Sequence, residues 1–129
     1  MPVEIRMLAW SICLGILCVL VSATLTTSTR GLNWNVGNRD GETPRLTGTA
    51  GRAHRASRNF LETFPFFAAA VLAVVLLKAN SPHTALGAQI YFWARLVYLP
   101  VYVIGIPYVR SLVWGVSFWG ILMVLAALF

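Results

Sequence analysis

Charge is what this sequence most lacks. Of its 129 residues only 11% are Asp, Glu, Lys or Arg, whereas 58% are hydrophobic. Soluble domains usually carry about 25% charged residues, so the deficit excludes an ordinary water-soluble fold. Acids are scarcer still, four against ten basic residues, for a formal net charge of +6. Cys13 and Cys18 lie in one apolar run. On a helix they face away from each other, which excludes an unstrained disulfide between them. His54 and His83 fall far apart in the predicted topology, and no Cys/His/acid cluster has metal-ligand spacing, so no metal site is expected. There is no Ser-His-Asp arrangement, no Gly-Lys-Ser/Thr to close a phosphate loop, no internal repeat and no low-complexity tract.

What the chain does have is long apolar runs. A bilayer-spanning helix needs roughly 20 apolar residues, and four such runs fit, at about 4–27, 49–78, 84–104 and 108–128. The chain reads as one all-α integral membrane domain, 1–129, with a long Gly/Thr/Arg/Asn loop at 28–50 and two tight connections. Val21-Ser22-Ala23 resembles a cleavage site, but the apolar stretch from Met7 to Leu25 is longer than a usual signal-peptide core, and Glu4 and Arg6 cancel before it. The first run is therefore read as a retained helix, ended by the Thr/Ser cluster up to Thr29. Pro65 is expected to kink span two, and Ala68, Ala69, Ala70 and Ala73 to permit close packing beyond it.

The basic residues are unevenly placed. Arg30, Arg39, Arg45, Arg52, Arg55 and Arg58 lie between the first two apolar runs, with Asp40 and Glu42 against them. A pI near 10.2 fits nucleic-acid binding in isolation, but this loop has no compact fold and borders a membrane, so no nucleic-acid partner is expected. The positive-inside rule accounts for the cluster and places the 28–50 loop in the cytoplasm. Arg110, between spans three and four, agrees. The expected location is a bacterial inner membrane.

Polar groups inside spans are costly and mark sites by default. At 100° per residue, Arg52, Arg55, Arg58, Asn59 and Glu62 fall within an arc of about 120°, and Tyr91, Arg95, Tyr98 and Tyr102 within about 60°. Glu62 reads as the only acid embedded in the membrane, so an ion pair with Arg95 is expected, although a simple hairpin count leaves the two about two turns out of register. Mutual pairing to hold the helices together would explain Glu62 and Arg95. It would not explain the further arginines, Asn59, or the phenols of Tyr98 and Tyr102. Surplus guanidinium facing a polar crevice suits an anionic ligand, because arginine forks grip carboxylates. At the start of span four, Arg110 is either a snorkelling anchor or a charge that stabilises a thiolate. Ser111 is either a helix cap or a hydrogen-bond donor to that thiolate. Trp114 either walls an apolar co-substrate site or belongs to an interfacial belt.

Three segments carry a resemblance: Arg55-x-x-Arg58-Asn59-x-x-Glu62-x-x-Pro65, then Ala94-Arg95-x-x-Tyr98-x-x-x-Tyr102, then Gly105-x-Pro107-x-x-Arg110-Ser111. In this order, in a short four-span chain, they resemble the MAPEG family, the membrane-associated proteins of eicosanoid and glutathione metabolism, and most closely its short bacterial members. The resemblance implies a left-handed antiparallel four-helix bundle assembled as a homotrimer, with glutathione bent into a site at the subunit interface. By similarity, Arg58, Asn59, Glu62, Tyr98, Tyr102, Arg110 and Ser111 would contact glutathione. Arg110 or Ser111 would stabilise its thiolate, and Arg55 and Arg95 would support the site. The implied activity is that of a transferase or peroxidase using glutathione as co-substrate on a lipophilic electrophile or hydroperoxide. The alternative is a non-catalytic scaffold or lipid-binding protein of the same fold. By the same resemblance, catalytic branches carry an arginine within or near the membrane part of span one, where this chain has none, and a tyrosine where Trp114 stands. A small proton-coupled exporter would instead need an acid within span one, which has none beyond Glu4.

Overall fold

The computed structural model describes residues 1–41, 43 and 45–129; Glu42, counted above against the basic loop, lies outside the described residues. Those residues form five helices and no strand: α1 (Val3–Arg30), α2 (Leu32–Val36), α3 (Gly48–Leu76), α4 (Pro82–Ile104) and α5 (Pro107–Ala126). Helices α1, α3 and α5 are long and apolar enough to cross a membrane, which makes this an integral membrane protein. Of the four expected spans, α4 is the one that is not apolar enough to count among them. Its 23 residues reach about 35 Å at 1.5 Å each, but His83, Gln89, Arg95 and three tyrosines lower its apolarity.

The 28–50 loop is shorter than the sequence implied. The Thr/Ser cluster does not end α1, because Thr29 Oγ1 bonds back to the Leu25 carbonyl at 2.9 Å, a local bond compatible with helix. The chain turns only at Gly31, with φ +95°, and then forms the single turn of α2. At the other end of the spans, Ser81 caps α4 in a reciprocal box with Thr84, and Pro82 takes the first helical position. Helix α3 runs through Pro65 without interruption. Gly105 ends α4 in the left-handed region, and α5 starts at Pro107 with Ile106 as its N-cap. Ser111 therefore lies inside α5 and caps nothing.

Helices α3 and α4 each touch the three other long helices, whereas no contact joins α1 to α5 among the described residues. The core lies where α3 and α4 meet, around Phe67, Val71, Val74, Ala88, Tyr91 and Val124. Close backbone approach sets the α4–α5 seam. A Cβ on Gly87 would stand 2.9 Å from the Gly120 carbonyl oxygen, and one on Gly120 would stand 2.6 Å from that of Gly87. Neither position has room for a side chain. This is small-residue packing, which membrane helices use because lipid supplies no hydrophobic drive toward a partner helix.

The buried face of α1 is made of Glu4, Met7, Leu8, Ser11, Leu14, Gly15, Cys18 and Ser22. Cys13 is exposed and Cys18 buried, and both are free thiols. Glu4 is the buried acid of the described residues, whereas Glu62 is exposed. Glu4 is 2% exposed and accepts a short hydrogen bond from the Thr84 hydroxyl, which ties α1 to the first turn of α4.

A guanidinium–phenol row at the α3–α4–α5 junction

Arg95 is the largest fully buried side chain of the described residues, at 1% exposure. Helix α4 directs it toward α3, where its Nη2 donates to Asn59 Oδ1 at 2.9 Å. Its guanidinium carbon sits 4.3 Å from the centre of the Tyr98 ring and 5.4 Å from that of Phe60, within cation–π range. Its Nε and Nη1 are buried with no hydrogen-bond partner among the described residues. A buried charge with open donors is costly unless something completes it.

The row continues toward the α4–α5 turn. Tyr98 meets Tyr102 edge-on, with centroids 5.5 Å apart and planes at 63°. The Arg110 guanidinium lies 4.8 Å above the Tyr102 ring. Asn59, Arg95, Tyr98, Tyr102 and Arg110 thus form one contiguous series from three helices. The expected partner of Arg95 is corrected: Glu62 is exposed, and no ion pair joins it to Arg95. The two-turn offset decides this, since Asn59 stands nearly one turn closer to the basic end of α3 and on the face that meets α4. Tyr91 also leaves the row. It stacks on Phe67 at 4.0 Å, with its hydroxyl 3.4 Å from Thr63 Oγ1, inside the core.

The remaining predicted residues lie outside the row. Arg55 and Arg58 are exposed and line a cavity of about 610 Å³ between α1, α2 and α3. Ser111 is exposed beside Arg110. Arg52, expected in the same stripe, caps α4 instead: its Nε donates to the Val103 carbonyl at 2.8 Å, and it lies 3.4 Å from where a Cβ on Gly105 would be. A cation at a helix C-terminus completes open carbonyls and complements the dipole. Sequence reasoning missed this role, although Gly105 followed by Pro107 marks the helix end that needs it. It also found no arginine within or near the membrane part of the first span, yet Arg30 is the last residue of α1 and lines the cavity with Arg55 and Arg58. Among the described residues no group of His, Cys, Asp and Glu could hold a metal ion.

The model of the MAPEG family matches residues 7–129, nearly the whole chain and every member of the row. This chain belongs to the MAPEG family. Comparisons with curated proteins and with solved structures return no match. For this MAPEG protein, membership agrees with the apolar helices and points toward membrane chemistry related to glutathione.

Proposed function

We propose that this chain binds glutathione and presents its thiol to lipophilic electrophiles or hydroperoxides, working as a homotrimer of four-helix bundles with the site between subunits. The observation that carries the reading is Arg95. A fully buried guanidinium keeps two nitrogens open at the inner end of a row whose outer end, Arg110 and Ser111, is accessible. Arg95 is closed off from any ligand, so it supports the row through Asn59 and Tyr98, and a ligand bearing carboxylates would meet the row at its accessible end beside Arg110. Asn59, Tyr98 and Tyr102 supply amide and phenol groups along the way. Exposed Glu62 is free to receive the ammonium, and Arg55 and Arg58 extend the positive field on the outer face of α3. Arg110 and Ser111 would hold the sulfur as thiolate, the reactive form. A substrate in the bilayer would then meet a nucleophile already in position. In transfer, sulfur bonds to the electrophilic carbon and displaces its leaving group. In peroxide reduction, two glutathione molecules become the disulfide while the hydroperoxide yields alcohol and water.

One observation favours a non-catalytic reading. Arg110 rests on the Tyr102 face and Ser111 is exposed, so the pair that would hold the thiolate is not assembled within a single chain. Calorimetric titration of glutathione into the detergent-purified protein tests the binding, with Arg110→Ala as control. Saturable binding that Arg110→Ala weakens supports the proposed site. No binding by the wild type, or binding indifferent to Arg110→Ala, overturns it. Tight binding without turnover across electrophiles and hydroperoxides favours the scaffold reading.

A further inference from the structure

Two polar side chains on α4 stand at a depth where lipid offers them no partner. Glycine packing fixes that depth. Gly87 and Gly120 face each other across the α4–α5 seam, and Gly120 lies six residues before the end of α5 at Ala126, about 9 Å along the axis. The 20 residues of α5 reach about 30 Å, the thickness of a hydrocarbon layer. Helix α4 returns antiparallel to α5, so Gln89 falls about 12 Å and Trp93 about 18 Å from that end. The two side chains therefore bracket the middle of the membrane.

Both line a groove of about 460 Å³ between α4 and α5, walled otherwise by aliphatic groups such as Ile90, Val97, Val113 and Val116. Gln89 is half-buried and Trp93 is 56% exposed. Neither the Gln89 amide nor the Trp93 indole N–H has a hydrogen-bond partner among the described residues. Tryptophan gathers at membrane surfaces, whereas Trp93 stands near mid-depth. An amide with open donors in hydrocarbon is costly. Packing accounts for the Trp93 ring, which meets Phe92 edge-on at 5.1 Å, but not for its open N–H.

Gln89 and Trp93 are spaced i, i+4, which puts them on one face of α4. They present two N–H donors about 6 Å apart along the axis, inside an otherwise aliphatic groove. That pattern suits a lipid-soluble molecule with acceptor oxygens on an apolar body. An ordinary acyl chain does not fit it, because its ester carbonyls stay near the headgroups. A quinone does, with carbonyl oxygens at opposite edges of one ring and an alkyl tail. The groove volume is in the range of small-molecule sites, roughly 300–1,000 Å³.

We propose that the α4–α5 groove binds a lipid-soluble quinone, with Gln89 and Trp93 donating to its carbonyl oxygens and Val97, Val113 and Val116 against its tail. The groove is separate from the guanidinium–phenol row. At 100° per residue Val113 and Val116 lie about 150° around α5 from Ser111. Quinone binding here does not depend on glutathione binding.

Thermal unfolding of the full chain in detergent, without glutathione, tests this. The ligand is a fully substituted decyl benzoquinone, whose ring leaves no carbon for addition of the exposed Cys13 thiol. Decylbenzene is the control with the same tail. A ligand that binds the folded state raises Tm. The expected result is a saturable rise with the quinone and none with decylbenzene. Gln89→Leu should raise the half-saturating quinone concentration at least tenfold, while its unliganded Tm matches or exceeds that of the wild type. Trp93→Phe keeps an aromatic ring and removes the donor, and should shift the same concentration in the same direction by a smaller factor. An equal rise with decylbenzene would mean that the groove takes any alkyl chain, and overturns the proposal. So does quinone affinity unchanged in both variants. Absence of a saturable rise in the wild type, the result if a second copy of the chain covers the groove, overturns it as well.

Discussion

Asn59 is the one hydrogen-bond partner that the described residues give the Arg95 guanidinium, at 2.9 Å across the α3–α4 contact. An amide, rather than a carboxylate, therefore meets the most buried charge of the chain. Asn59→Ala should lower stability in detergent by about 1–3 kcal/mol, because the remaining donor stays buried without a partner. Asn59→Asp should lose less, since it restores an acceptor and adds an opposite charge. Thermal unfolding followed by circular dichroism checks both, and equal losses would mean that charge at Arg95 is already neutralised.

Glu62 leads to the opposite expectation. It is exposed and bonded to no described residue, so Glu62→Gln should leave the stability of the isolated chain within about 0.5 kcal/mol of wild type, as for ordinary surface substitutions. Under the glutathione reading the same change removes a partner for the ligand's ammonium, and affinity should fall about tenfold, the scale of one charge-assisted contact. Melting and titration of one variant thus separate folding from ligand binding.

Gly87 and Gly120 bring the backbones of α4 and α5 together. Gly120→Val should destabilise by about 1–3 kcal/mol or more through overpacking against Gly87 and Tyr91, and it should displace the Tyr98–Tyr102–Arg110 end of the row. Gly115, where an added Cβ would meet nothing within 4 Å, is the control in the same helix: Gly115→Ala should be neutral or stabilising by up to about 1 kcal/mol. Paired thermal melts of the two variants check the contrast, and equal losses would mean that the α4–α5 seam is loose enough to admit a side chain.

Thr84 donates to buried Glu4. Thr84→Val keeps the shape and removes both the donor to Glu4 and the acceptor of the Ser81 N–H in the capping box. The loss should be about 1–3 kcal/mol, combining a side-chain hydrogen bond between membrane helices with a lost helix cap. Glu4→Gln, which keeps an acceptor oxygen, should cost less than Glu4→Ala. A reversed order in thermal melts would show that packing, rather than the hydrogen bond, holds the N-terminal end of α1.

Much of this was legible from residue order. Membrane insertion followed from apolar length, since lipid solvates any helix that is apolar around its circumference. The Tyr98–Tyr102 line followed from helical spacing, and Arg95 from the cost of a guanidinium in a span. The three motif segments supported the family, which the match over residues 7–129 bears out.

Partner choice required the fold. In water the hydrophobic face of a helix announces what it packs against. In lipid both faces are apolar, so α1 gives no such signal, and its buried face is set by small and polar residues such as Ser11, Gly15 and Ser22. Helical spacing could not tell Asn59 from Glu62 as the neighbour of Arg95, because that depends on the axial offset of α3 against α4. It also could not separate Arg52, which caps a helix, from Arg55 and Arg58, which line a cavity. Composition and spacing determined that this is a helical membrane protein with a polar row inside it; side-chain contact across helices, set by offset and close backbone approach, decided which charges meet.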